Sequence, residues 1–189
     1  MNTVGFKQLT INNEEELKIW LNKFPNIKAN EWIKSPLALY NEIKNSECVF
    51  GLEEGKLYRR LDVVSVKCFH TNPNGQRFQI FEEKQVFKNG MIRERGNKYI
   101  AEKIQAGESP EQAAIRGLAE ELHISGPNVQ VVALSEENKF EKRESPTYKG
   151  IQCSYNTYSF SCEISDVDYK SSYVEEQDDK STVFSWVKI

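Results

Sequence analysis

One helix is marked at its start and along its length in the middle of this chain, and period-two sequence flanks it on both sides. Ser109 is a good N-cap, and Pro110 suits the first helical position, where a missing N–H costs nothing. Gln112, three residues after Ser109, completes a capping box. Ala114, Leu118 and Leu122 recur every four residues, with Ile115 and Ala119 beside them, and predict one apolar stripe against a core. Arg116, Glu120 and Glu121 are assigned to the polar face. Before this helix, Leu57–Phe69 is rich in Val with Tyr, Leu and Phe. Arg77–Phe87 alternates, with Phe78, Ile80 and Val86 placed on one side. Lys88-Asn89-Gly90-Met91 predicts a hairpin turn, with Met91–Arg95 as the returning strand. After the helix, Asn128–Leu134, Ile151–Ile164 and Thr182–Val187 predict three further strands. Asp166–Lys180, acidic and Ser-rich, is assigned to a loop with a short helical turn. Strands, one capped helix and strands again imply an α/β fold, a mixed sheet with helices on its faces.

Residues 1–55 differ in pattern. Asn12 or Asn13 caps a helix through Phe24 that presents Leu17, Trp20, Leu21 and Phe24 on one face, ended by Pro25. Ser35-Pro36 opens a second helix to about Asn45, with Leu37, Tyr40 and Ile43 as its apolar stripe. Gly51 and Gly55 are read as breaks ahead of the sheet. The expected organisation is an N-terminal helical extension (1–55) packed on a main domain (56–189), in keeping with a length of 189 residues. A net charge of −3 supplies no field that draws the protein to nucleic acid. No apolar run is long enough for a membrane span, and the polar start (Asn2, Thr3, Lys7, Gln8) has no signal-peptide core. Cys48, Cys68, Cys153 and Cys162 are scattered, and with His70 and His123 they give no zinc spacing. Reduced thiols in a cytoplasmic protein are the expectation.

The functional question concentrates on acidic residues around the capped helix. Oxygen ligands on a rigid helix are what a hard cation such as Mg²⁺ requires, and Glu120 with Glu121 offers them. The bland alternative is a solvated face, with Arg116 and Glu120 as an (i, i+4) pair. Residues 102–124 resemble the signature box of the Nudix family, hydrolases of nucleoside diphosphates linked to another moiety. That pattern runs Gly, five residues, Glu, seven residues, Arg-Glu, an aliphatic, any residue, Glu-Glu, any residue, Gly, an aliphatic. Glu108, Arg116, Leu118, Glu120, Glu121 and Ile124 match it. Glu102 stands in place of the first Gly, Gly117 in place of the Glu after Arg, and His123 in place of the last Gly. With the strands around it, the likeness extends over roughly residues 57–188.

The resemblance implies a Nudix-type α/β/α sandwich, an Mg²⁺ or Mn²⁺ cofactor and a small phosphate-containing ligand. Carried over residue by residue, it implies Glu120 and Glu121 as catalytic residues and as metal ligands together with Glu108. Glu102 is a candidate to supply the oxygen that Gly117 lacks, and Arg116 and Gly107 are structural at the site. Arg95, Lys103 and Arg143 border the implied cleft as phosphate contacts, and Glu141, Glu144 and Glu175 are candidates for a further ligand outside the box. Residues 141–150 are expected to form a mobile lid. Two function classes stay open: a metal-dependent pyrophosphohydrolase, and a Nudix-fold module that binds a nucleotide-like ligand or a protein partner without turning it over. G117E is expected to raise hydrolysis.

Overall fold

A computed structural model describes residues 5–127 and 129–189. Asn2 and Thr3 of the polar start, and Asn128 at the head of an expected strand, lie outside the described residues. In chain order the elements are β1 (Lys7–Gln8), α1 (Glu14–Asn22), α2 (Pro36–Lys44), β2 (Val49–Glu53), β3 (Lys56–Thr71), β4 (Arg77–Phe87) and β5 (Ile92–Arg93). They continue with β6 (Ile100–Lys103), α3 (Pro110–Leu122), β7 (Val132–Ala133), β8 (Lys139–Glu144), β9 (Gln152–Glu163), β10 (Tyr173–Glu176) and β11 (Lys180–Lys188). The fold is mixed α/β, with three helices and a large sheet among the described residues. The chain up to Asp62, with Lys103–Gly107 and Lys139–Thr157, forms one compact unit. Val63–Glu102, Glu108–Asn138 and Tyr158–Ile189 form a second.

In the first unit, the Asn13 side chain accepts from the Glu16 N–H at 2.9 Å and starts α1. Leu17 and Leu21 are buried in a cluster with Leu39, Phe50, Leu57 and Tyr148, and Trp20 and Phe24 pack on its margin. Ser35 caps α2 by accepting from the Ala38 N–H at 3.2 Å. The expected stripe on this helix needs one correction. Leu37 is exposed, and the buried positions are Leu39 and Glu42, with Tyr40 and Ile43 beside them. Leu37 lies two residues, about 200°, round the helix from Leu39, so the two cannot share a face. The region up to residue 55 is not purely helical either. β2 pairs with β3 from Val49↔Arg60 to Glu53↔Lys56, and β1 pairs with β2 through Gln8↔Gly51. Gly51 is therefore a strand residue rather than a break: a Cβ there would collide with the Lys7 carbonyl and the Phe6 ring.

The segment 141–150 is no mobile lid. Tyr148 is fully buried, and its hydroxyl donates to Glu42 Oε1 at 3.1 Å. The Ile33 N–H donates to the Thr147 carbonyl at 3.1 Å, and Trp32 Nε1 to the Lys149 carbonyl at 2.9 Å. A buried aromatic and these hydrogen bonds hold the segment in place.

In the second unit, β4 pairs with the end of β3 at Phe69↔Gln79 and with β11 along its length, and β11 pairs with β10. Against β11, the register of β4 shifts between Val183 and Phe184, so that Glu83 is left without a Cα partner. This irregularity changes the phase of β4: Ile80 and Glu82 are buried, then Gln85, whereas Val86 is only half-buried. Val86 therefore does not continue the Ile80 face as alternation predicts. Asp166–Lys180 contains β10, in which buried Tyr173 and Glu175 alternate with exposed Val174 and Glu176. Its inward acidic residue hides the strand from a hydrophobicity pattern. The strand expected after the helix is reduced to Val132–Ala133, and the return of the Asn-Gly hairpin to Ile92–Arg93.

Candidate active site

The capped helix α3 organises the site. Ser109 Oγ accepts from the Gln112 N–H at 3.2 Å, and Gln112 Oε1 accepts from the Ser109 N–H at 2.8 Å, a closed capping box. Ala113, Ala114, Gly117, Leu118, Glu121 and Leu122 are buried, while Ile115 and Ala119 are half-buried. Glu121 therefore belongs to the buried face, not to the polar one assigned from the sequence. The spacing 114, 117, 118, 121 explains this, since residues three and four apart share a helix face. At the C-terminus His123 takes the left-handed conformation, φ +56°, its N–H bonds back to the Leu118 carbonyl, and its Nε2 lies 3.0 Å from the Val174 carbonyl. That conformation favours Gly, the residue His123 replaces in the box.

The two neighbouring carboxylates sit in different surroundings. Glu120 has a half-exposed side chain and accepts from Arg116 Nη1 at 3.0 Å. Arg116 is the hub of its face. Its Nε and Nη2 donate to the two oxygens of Glu108 at 2.9 and 3.0 Å, and Nη1 lies 3.5 Å from Glu102 Oε1. The hydrogen bonds that Arg116 donates to Glu108, then the charges of Glu102 and Glu120, raise the Arg116 pKa and hold it fully protonated. Glu121 is buried, and its Oε1 has no hydrogen-bond partner among the described residues. Burial pushes the Glu121 carboxyl well above the ordinary range. The charges of Glu175, Glu102 and Glu82 push it the same way, against the pull of Arg95.

Glu82 is a site residue that the sequence reading missed. It is almost fully buried, with both oxygens on Arg95: Nε donates to Oε1 at 2.7 Å, and Nη2 donates to Oε2. Asn97 Nδ2 adds a bond to Oε2 at 3.2 Å. An acid in phase with the buried Ile80, followed by arginines in the returning arm of the hairpin, was the available signal. Glu175, one of three outside candidates, is the one that shares this unit with Glu121, whereas Glu141 and Glu144 belong to the first unit. Lys103 and Arg143 also belong to the first unit. There Lys103 Nζ lies 2.7 Å from Glu47 and 3.2 Å from Glu42. Arg143 lies 3.5 Å from Glu141 and 4.9 Å from the Tyr155 ring. Gly107, in the loop ahead of the helix, has φ +80°, the left-handed region a turn demands.

Among the described residues, no three His, Cys, Asp or Glu side chains stand assembled as a ready metal-binding group. What fits a cation is the orphaned Glu121 oxygen in acidic company, because a divalent ion would turn that repulsion into coordination. A cavity of about 390 Å³ opens past the end of α3, lined by Ile124, Pro127, Cys162, Glu163 and Asp168, and it includes none of these carboxylates.

The model of the NUDIX domain matches residues 62–188, more than half the chain and the whole of this acidic centre. This chain belongs to the Nudix family. The solved structures it is similar to include an Ap4A hydrolase from C. elegans, 12% identical, covering 68% of this chain and 80% of that one with a TM-score of 0.39. A MutT/nudix family protein from Enterococcus faecalis is 14% identical, covering 95% of this chain and 57% of that one with a TM-score of 0.47. No curated protein gives a significant match. Nudix enzymes as a family act on phosphate-containing substrates with divalent metal ions. Among the described residues of this Nudix chain, no helix is long and apolar enough to cross a membrane.

Proposed function

We propose that this Nudix chain is a pyrophosphohydrolase that cleaves a nucleoside diphosphate linked to another moiety, with Mg²⁺ or Mn²⁺ held at Glu121. The observation that carries this reading is the buried Glu121 oxygen, without a hydrogen-bond partner among the described residues and subject to the charges of Glu82, Glu102 and Glu175. Bound there, the cation would neutralise the diphosphate and lower the pKa of a coordinated water. Glu121 is the central ligand, with Glu102 and Glu120 as its partners. Glu108 keeps both oxygens on Arg116, so it serves by holding the guanidinium that orients Glu102 and Glu120. Glu120, half-exposed beside Arg116, is the group assigned to take the proton of the attacking water. Arg95 uses two of its N–H groups on Glu82, and a guanidinium has five, so it retains donors for a phosphate oxygen. The four free, buried cysteines favour a reducing, cytoplasmic setting. The organisation kept with this reading is an N-terminal extension (1–55) on a Nudix domain (56–189), and the family match beginning at residue 62 supports it.

Gly117, which has no side chain where the box has a Glu, favours a second reading, a module that binds a nucleotide-like ligand or a protein partner without turnover. One experiment separates them. Phosphate release is measured from ADP-ribose, dinucleotides, NADH, nucleoside triphosphates and capped RNA with Mg²⁺ or Mn²⁺, for wild type and E120Q/E121Q. Turnover that disappears in the double variant supports the enzyme. Absence of turnover on every compound, with a thermal shift from one of them, supports the binder.

A further inference from the structure

We propose that Glu102 and Gly117 are a coupled pair: Glu102 brings a metal-ligating carboxylate from β6 across the face of α3, and Gly117 is the space that lets it cross. The inference deepens the metal-dependent reading above and rests on it. Glycine in a helix interior is unfavourable, and α3 carries one at a buried position in its middle. The reason lies directly opposite. A Cβ built on Gly117 would stand 3.3 Å from Glu102 Cβ, 3.8 Å from Glu102 Cγ and 3.7 Å from Ile100 Cδ1. The Glu102 stem thus lies over the helix backbone at position 117, where a side chain on the helix would have to go.

The head of Glu102 continues in the same direction. Its Oε1 lies 3.5 Å from Arg116 Nη1, the guanidinium nitrogen that also holds Glu120 at 3.0 Å. Its charge also reaches Glu121, whose buried Oε1 has no hydrogen-bond partner among the described residues. The two departures from the box, an added carboxylate at 102 and a lost one at 117, therefore fall on facing positions. One carboxylate is moved from helix to strand, and the number at the centre is kept. Restoring Glu at 117 while Glu102 remains would force two stems into one space. The pair therefore predicts, against the expectation that G117E by itself raises hydrolysis, that a gain requires position 102 to be emptied as well.

Two measurements on the full chain test the pair. The first is thermal unfolding without metal for wild type, G117A, E102G and E102G/G117A. Removing a helix-interior glycine should raise Tm by about 2–4 °C in the E102G background, the usual scale for a chain of this size. In wild type the same change should give no rise or a fall, because the added methyl meets Glu102. An equal rise in both backgrounds overturns the packing half of the inference.

The second is Mn²⁺ affinity by calorimetry for wild type, E102Q, G117E and E102G/G117E. E102Q should weaken binding by about 10-fold or more. The swapped double variant should return to within about threefold of wild type, and G117E alone should gain nothing. E102Q binding Mn²⁺ as tightly as wild type overturns the ligand role while leaving the function above intact. Wild type that binds no Mn²⁺ overturns the metal-dependent function itself, and the ligand half of this inference with it.

Discussion

Glu42 in the first unit and Glu121 in the second are both glutamates on helices, each 7% exposed, and their company is opposite. Glu42 forms an ion pair with the buried Arg59, accepts from the Tyr148 hydroxyl at 3.1 Å, and has Lys103 at 3.2 Å and Lys34 at 3.9 Å. Burial alone would raise its carboxyl, but the Arg59 guanidinium, with Lys103 and Lys34, outweighs that and holds it below the usual range. Glu121 meets the same burial with Glu175, Glu102 and Glu82 around it, and its carboxyl is driven up. A buried charge is tolerated when the fold supplies a counter-charge and costly when it does not. One glutamate is therefore a structural tie that is already satisfied. The other is a buried acid whose charged neighbours are mostly of its own sign.

The largest expected effect tests the satisfied member. E42Q leaves Arg59 buried beside an amide, and unfolding by urea at about pH 7 should show a loss of about 3–5 kcal/mol. Because the folded carboxyl lies below its unfolded value, Glu42 contributes stability above the unfolded pKa. That contribution fades as pH falls through the folded one, so the deficit of E42Q should shrink in acid. A neutral E42Q would remove the contrast from one side.

E121Q tests the other side. With Mn²⁺ present, hydrolysis should fall on the order of 10²–10³-fold, the usual size of one lost electrostatic contact at a reacting centre. Without metal the sign reverses. The folded Glu121 carboxyl is raised, so above the unfolded value of about 4.3 the native state holds a proton that the unfolded chain has lost. Wild type then loses stability as pH rises through that window up to the folded pKa, and E121Q does not. Metal-free E121Q should therefore melt higher than wild type at about pH 8, and the gap should close below about pH 4. A metal-free E121Q that melts lower at neutral pH would show that Glu121 has a favourable partner and end the comparison. The smallest effect belongs to His123. H123G relieves a left-handed conformation but gives up the contact of Nε2 with the Val174 carbonyl. Chemical denaturation should place it within about 1 kcal/mol of wild type.

Much of the fold is local chemistry and could be read in advance. The capping box at Ser109 and Gln112, the Asn13 and Ser35 caps, and the bounds Arg77–Phe87 of β4 all come from residues within a few positions of one another. β10 escaped because its inward residues are Tyr173 and Glu175, and an acid facing inward looks like a loop when only apolar residues count as buried. Glu82 escaped for the same reason, and Val86 was misplaced because a shift in pairing with β11 is not visible in β4 alone. At the site, the box residues Glu108, Arg116, Glu120 and Glu121 were legible as a set, while their arrangement was not.

The order of residues determined that this chain carries a capped helix with an Arg-and-carboxylate signature between strands, because caps, turns and periodicity act over a few residues. Tertiary structure decided the rest: that Glu120 faces Arg116 while Glu121 is buried among Glu82, Glu102 and Glu175, and that the stem of Glu102 occupies the space above Gly117. The environment of a carboxylate depends on charges brought from distant parts of the chain and on the water excluded around it. Neither is encoded in its neighbours along the sequence.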